Sequence, residues 1–451
     1  MNITRFDKYY RYFIFVPLLI ALLTYWRFRG LEIAGAYSYV AQENVLHPLL
    51  QRANQAPASI VWNFFGVVDR MIFPRSIDLL RILGLILVVV NYFLLAKLMN
   101  DVLGRRVWGF LCVFVVSLSP FLIISAVAGL PAAAAETVVL LFLIALYNNR
   151  YVLAGLLSAV ALTANLAGFI LFLIAILDLI QNATQKRRML SSVLYSSTAF
   201  FGVAALIFAY SVYTGTMFPA IPVTHPEFPW PPVAFAGFGI ADTLVVGGII
   251  YILSLRRFNI YKSHFHLFMV WLALSASCLV QPSTTNLIVT FVVSSILGTF
   301  FLQGFAALWS GRVFPVETTA FLFVLTFLFT DVFANNEFLQ NRLLVNCKAE
   351  ADAVTDVVDA LSNLPSNIGI VSNFVPAEIS VKLSRQVLGI EGEPIAGEGS
   401  VLRQSGTVFI VDSDSKSYIA LPGSRLLNQD SYMIDGKVHY VKVIKYDGDA
   451  K

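Results

Sequence analysis

The sequence predicts a polytopic α-helical membrane protein of about eleven spans with a small α/β domain at its C-terminal end. Three observations predict it. Long apolar segments recur through the first 334 residues. The short turns between them alternate between basic and uncharged. Beyond residue 334 the rhythm stops and an ordinary polar sequence follows. Composition agrees. Hydrophobic residues make up 58% of the 451, charged residues 13%, and mean hydropathy is +0.75. A soluble chain carries about 25% charged residues, so water is not the solvent for most of this one.

A spanning helix needs about 20 apolar residues. The apolar runs predict spans near 12–26, 79–99, 107–125, 131–147, 151–165, 167–181, 191–213, 236–255, 266–281, 285–308 and 314–333. Alternate turns carry Arg5, Lys8 and Arg11; Arg105 and Arg106; Arg150; Lys186, Arg187 and Arg188; Arg256, Arg257 and Lys262; and Arg312. The intervening turns AVAGLP, TANLAG and QPSTTN hold no Lys or Arg. Positive loops stay cytoplasmic. The expected location is therefore the plasma or inner membrane, with the N-terminus cytoplasmic and the C-terminal domain extracytoplasmic. The first segment reads as an uncleaved anchor, because no small-residue cleavage site follows it and Arg27 and Arg29 do.

The predicted domains are 1–334, transmembrane, and 335–451, soluble. The first carries 20 Lys/Arg against 12 Asp/Glu and the second 11 against 15. The basic excess follows the loops and reads as an orientation signal, which excludes nucleic acid as its partner. Three cysteines, Cys112, Cys278 and Cys347, form neither a disulfide framework nor metal-type spacing. No nucleotide fingerprint occurs, since VVGGII has neither a preceding strand nor a following Lys.

Two outer segments exceed a turn. Residues 27–78 open with GLEIAGAYSYVAQENVL, which suits a surface helix, and continue with NQAPASIVWNFFGVVDRMIF, a second interfacial helix behind Pro57. Trp62, Phe64 and Phe65 are expected at headgroup level. Residues 214–235 hold six prolines and predict a rigid capping loop. In the tail, KAEADAVTDVVDALSNL has helical periodicity. NIGIVS, GTVFIVDSD and HYVKVIKY read as strands, and LPGSR as a turn.

An ionisable group in or beside a bilayer is a functional candidate by default. Glu136 lies about one turn into an apolar helix, behind four alanines that leave room for a ligand or close packing. Its plainer reading is a carboxylate at a helix N-terminus. Glu32 follows the first span and suits a general base on an acceptor hydroxyl, or a solvated charge paired with Arg29. Arg81 suits a phosphate, or an ion pair with Asp78. His225 and Glu227 are candidate substrate or metal ligands, although loop structure explains two such residues in a proline-rich segment better.

Several of these segments together resemble the GT-C superfamily of membrane glycosyltransferases. These enzymes use polyprenyl-phosphate sugars and include protein O-mannosyltransferases and lipid A aminoarabinose transferases. The resemblance rests on AYSYVAQENVL, on APASIVWNFFGVV, on DLLRILGLILVVVNYFLLAKLMNDVLGRRVWGFLCVFVVSLSPFLI and on NNRYVLAGLLSAVALTANLAGFILFLIAILDLI. It covers residues 12–190 in detail and the rest in architecture. It implies an inverting transfer from a polyprenyl-phosphate sugar donor in the membrane lipid to a glycan, lipid or protein acceptor. Glu32 would be the base, Arg81 would meet the phosphate, and Glu136 would assist through a divalent metal ion or by orienting the acceptor. The family's acidic pair aligns with Ile33 and Ala34, its second acid with Ala132, and QPSTTN lacks the Arg-Tyr of its late outer loop. These departures leave a rival: a non-catalytic GT-C-like scaffold that binds lipid or assembles with a partner. A transporter would show repeat symmetry, and no clear repeat occurs.

Overall fold

A computed structural model of the chain describes residues 15–28, 60–104, 106–118, 120–161, 167–182, 186–214, 258–280, 284–309, 345–389, 406–413, 423–434 and 437–447. Its contacts divide it into two units. One holds residues 1–29, 57–60 and 81–336, and the other residues 30–56, 61–80 and 337–451.

The first unit is a helix bundle. Its described helices are α1 (Phe15–Phe28), most of α3 (Asp78–Leu103), α4 (Arg106–Leu118), α5 (Pro120–Val127), α6 (Ala132–Tyr147), α7 (Tyr151–Ala161), α8 (Ala167–Asn182), α9 (Lys186–Thr214), α10 (Phe258–Val280) and α11 (Thr284–Trp309). Two of them, α3 and residues 190–209 of α9, are long and apolar enough to cross a membrane by length and composition alone. The others are shorter apolar helices or have apolar cores of 10–17 residues. The span expected at 107–125 is two helices, α4 and α5, with Pro120 beginning the second. Proline has no N–H to give and is tolerated at a first turn. The spans expected at 236–255 and 314–333, the loop at 214–235 and the surface helix after residue 31 lie outside the described residues.

Small residues let the backbones approach, as membrane helix packing requires. A methyl group on Gly109 of α4 would lie 2.8 Å from the Ala96 carbonyl oxygen of α3. One on Gly155 of α7 would lie 2.6 Å from the Ser196 carbonyl oxygen of α9. Beside that crossing Phe172 stacks on Phe200 at 4.1 Å. On α9, Leu190, Leu194 and Leu206 are exposed, as apolar side chains that face lipid would be.

The second unit holds α2 (Ile60–Ile72), the start of α3 and the C-terminal domain. The helix expected behind Pro57 is α2. Phe64 is exposed on it, and Trp62 is buried. Asp69, also buried, caps α3 from ten residues upstream. Its two oxygens accept the Leu79 and Leu80 amides, each at 3.1 Å, and a carboxylate there complements the helix dipole.

In the C-terminal domain α12 (Val345–Ser362) and α13 (Pro376–Leu383) accompany five strands: β1 (Ile370–Ser372), β2 (Val387–Gly389), β3 (Val408–Ser413), β4 (Ser424–Ile434) and β5 (Lys437–Tyr446). The order is β2-β1-β3-β5-β4, parallel across β2, β1 and β3 and antiparallel at β5 and β4. Val354, Val357 and Leu361 of α12 pack on Ile370, Val408, Ile410 and Val443 of the sheet.

Candidate functional site

Of the candidate site acids Glu32, Glu136 and Glu227, the described residues place Glu136. It is 1% exposed on α6, and neither carboxylate oxygen has a hydrogen-bond partner. Around it stand Asn91 and Tyr92 of α3, Cys112 of α4 and, next to Cys112, Thr299 of α11. Asn91 ties α3 to α6: its Nδ2 donates to the Ala133 carbonyl at 2.8 Å, and the Thr137 hydroxyl donates to its Oδ1 at 2.6 Å. The second Nδ2 hydrogen of Asn91 remains for Glu136, which stands close by but outside hydrogen-bond geometry. The buried Tyr92 hydroxyl also lacks a partner.

Depth follows from helix length. Asn91 lies thirteen residues from Asp78 and twelve from Leu103, or about 20 Å from either end at 1.5 Å per residue. The cluster therefore sits at the middle of a 26-residue apolar helix, deeper than the helix-end position the sequence suggested. Arg81, half-buried one turn into α3, stands ten residues from Asn91, about 15 Å along the axis. Glu32, His225 and Glu227 lie outside the described residues. The described residues thus gather Asn91, Tyr92, Cys112 and Thr299 around Glu136, and do not gather Arg81. Asn91 and Tyr92 carried a signal that sequence reading passed over, as polar groups within an apolar run.

A second polar group lies at the end of the bundle that bears the basic turns. The Tyr151 hydroxyl donates to Asp178 Oδ2 at 3.1 Å, and His266 Nδ1 is 3.5 Å from Asp178 Oδ1. The Tyr147 ring meets the His266 imidazole edge-on at 4.5 Å. This joins α6, α7, α8 and α10 and reads as structure.

The C-terminal domain gathers a third group at the carboxyl ends of β1 and β3. The Tyr432 hydroxyl donates to Asp412 Oδ2 at 2.8 Å, and His439 Nδ1 is 3.5 Å from Asp412 Oδ1. Burial, then the Asp412 charge, pushes the Glu350 carboxyl up to about 7. Burial, then Glu350 and Glu378, pushes the Cys347 thiol up to about 12. Among the described residues no group of three His, Cys, Asp or Glu side chains is placed to hold a metal ion, so no step below is routed through one.

No protein-family model matches the sequence, and no curated protein matches it. Solved structures do. ArnT from Cupriavidus metallidurans in the apo state superposes with a TM-score of 0.60 at 11% identity, covering 97% of this chain and 98% of that one. The same protein bound to undecaprenyl phosphate gives 0.59 at 10% identity, over 96% and 97%. This chain has the fold of ArnT. The likeness runs through nearly the whole length and includes residues 12–190. Both Glu136 and Arg81 belong to helices of the ArnT-like bundle, while the α12–β5 domain closes the chain.

Proposed function

We propose that this chain is a membrane glycosyltransferase that moves a sugar from a polyprenyl-phosphate donor to an acceptor at the outer membrane face, with inversion. The observation that carries the reading is the likeness over 96% of the chain to an ArnT bound to undecaprenyl phosphate. The apolar runs and basic turns support eleven spans, a cytoplasmic N-terminus and an extracytoplasmic domain over 335–451. The donor enters from the outer leaflet. The acceptor hydroxyl gives its proton to Glu32 as its oxygen bonds the anomeric carbon, and the carbon–oxygen bond to the phosphate breaks. Arg81 neutralises the departing phosphate. Glu136, a carboxylate without a partner beneath the α6 N-terminus, orients the acceptor. His225 and Glu227 contact substrate from the capping loop.

The test is transfer of radiolabelled sugar from a total pool of polyprenyl-phosphate sugars to membrane acceptors. The wild type transfers, and Glu32→Gln lowers turnover by about 10²–10⁴-fold, the worth of general-base catalysis. Wild-type-like transfer by that variant removes Glu32 as the base. The absence of an acidic neighbour at Ile33 and Ala34 favours a second reading, a GT-C-like scaffold without catalysis. That reading is supported if the wild type transfers from no donor pool.

A further inference from the structure

The bundle holds a built feature that the reaction does not use: a notch where α7 begins. Helices α7 and α9 start at the basic end and run in the same direction. They touch at Gly155 and Ser196, and the Ser196 hydroxyl donates to the Tyr151 carbonyl at 2.9 Å. Short of that crossing they part, and a cavity of about 420 Å³ opens between Arg150, Tyr151, Leu153, Leu156 and Ser192. Its size falls in the range of pockets that hold small molecules.

Charge and apolarity together define its occupant. Arg150 is exposed at the notch, and its backbone is fixed by the turn that closes α6. Its amide donates to the Ala145 carbonyl at 2.8 Å and that of Asn149 to the Leu146 carbonyl at 2.9 Å, with Asn149 at φ 55°. This is the paired closure that ends many helices. Among the described residues no carboxylate lines the notch, and α9 begins at the same end with Lys186-Arg187-Arg188. The far side is apolar. Val152 and Leu153 line the notch and are themselves exposed, and on α9 Leu190 and Leu194 are 70% and 63% exposed. Such side chains face acyl chains in a bilayer. A free phosphate would engage the cation and leave these walls unfilled, whereas a neutral lipid would fill the walls and leave Arg150 unpaired.

The geometry points to a binding site for an anionic phospholipid of the leaflet at the basic end. The headgroup phosphate sits on Arg150, and an acyl chain lies along Val152, Leu153 and the exposed face of α9. Arginine suits this position because its planar fork meets phosphate oxygens in pairs. The site is separate from the donor site, which the proposed function sets at the opposite face, and does not depend on catalysis.

The experiment is native mass spectrometry of the purified full-length chain in detergent with an equimolar mixture of phosphatidylglycerol and diacylglycerol, which has the acyl chains without the phosphate. The wild type retains phosphatidylglycerol in preference. Arg150→Gln loses that preference, with affinity for phosphatidylglycerol reduced about tenfold or more, the worth of a hydrogen bond to a charged group. Ser192→Trp fills the notch without touching the cation and lowers retention to the same degree. Arg150→Lys keeps the charge and recovers part of it. Equal retention of the two lipids by the wild type, or undiminished phosphatidylglycerol on folded Arg150→Gln and Ser192→Trp, overturns the site. Should Arg150→Gln fail to fold, the Ser192→Trp result decides alone. Displacement of phosphatidylglycerol by millimolar inorganic phosphate would show a free-anion site and also overturn the lipid assignment.

Discussion

Replacing Glu136 separates stability from function. Its carboxylate is 1% exposed, and neither oxygen is hydrogen-bonded. A buried polar group without a partner costs about 1–3 kcal/mol, whereas an apolar group of the same shape there is neutral or stabilising. Leucine is close to glutamate in size, so Glu136→Leu returns about 1–3 kcal/mol less any packing mismatch. A large helical unit gains about 2 °C per kcal/mol, so the apparent midpoint rises by about 2–6 °C. Glu136→Gln keeps a polar group of the same shape and leaves the midpoint within about 2 °C of wild type. Both variants lose transfer activity by at least about tenfold if the carboxylate orients the acceptor. The assay pairs the loss of the monodisperse chromatographic peak on heating in detergent with sugar transfer at a fixed temperature. A Leu variant that melts several degrees below wild type refutes the reasoning, because a carboxylate whose removal destabilises must have partners. A Leu variant that is more stable and fully active leaves Glu136 with no role in the reaction.

Three further outcomes follow from particular contacts. Gly155→Ala drives a methyl group to 2.6 Å from the Ser196 carbonyl oxygen; overpacking of this kind costs about 1–3 kcal/mol, read as a lower heating midpoint. Glu350, pushed from 4.5 up to about 7, binds more protons folded than unfolded. Its contribution of at most about 3 kcal/mol is present below pH 4.5 and is lost as pH rises through 7. Hydrogen exchange of the α12 peptide in the full chain should therefore lose protection between pH 5 and 8, and Glu350→Gln should flatten that loss. Cys347, with its thiol pushed up to about 12, holds roughly a thousandfold less thiolate than an ordinary cysteine. The more basic thiolate recovers part of the rate, so maleimide labelling of the folded chain runs about 10²-fold slower than after unfolding. Equal rates in the two states refute the burial argument, and a tag after Lys451 reports sidedness better than this cysteine.

What the sequence showed plainly was whatever repeated. Apolar runs mark α3, α6, α8 and α11, because a lipid-facing helix must be apolar along its whole length. The basic turns mark the ends of α3, α6, α8 and the start of α9. Strands β1, β3 and β5 are buried and rich in Val and Ile, so their pattern survives in NIGIVS, GTVFIVDSD and HYVKVIKY. β4 was illegible for a physical reason. Its SRLLNQDSYMI is mostly polar and its register shifts between Leu426 and Asn428, so no period of two persists along it. β2 has three residues and α13 eight, too few for a period to declare itself. Asp69 carries no such signal. Only the fold brings the Leu79 and Leu80 amides to its oxygens, and nothing at a spacing of ten residues signals such a cap.

The depth of Glu136 was hidden for a related reason. Sequence reading counts from the start of each apolar run, and Glu136 is one turn from the start of its own. Its depth is set instead by the partner helix, through the Asn91–Ala133 hydrogen bond. That bond places the beginning of α6 against the middle of α3. Helix α6 has sixteen residues, about 24 Å, and cannot cross a hydrocarbon core of about 30 Å alone. Its N-terminal end therefore stops short of one face. The four alanines before Glu136, together with unpartnered Tyr92 and Glu136 oxygens, gather where this helix is missing its outer turns. A chain selected for stability alone would extend α6 or make these positions apolar. Keeping them polar where a bilayer penalises it is the pattern expected of a site that a polar substrate completes, and the Glu136→Leu measurement separates that from mere tolerance.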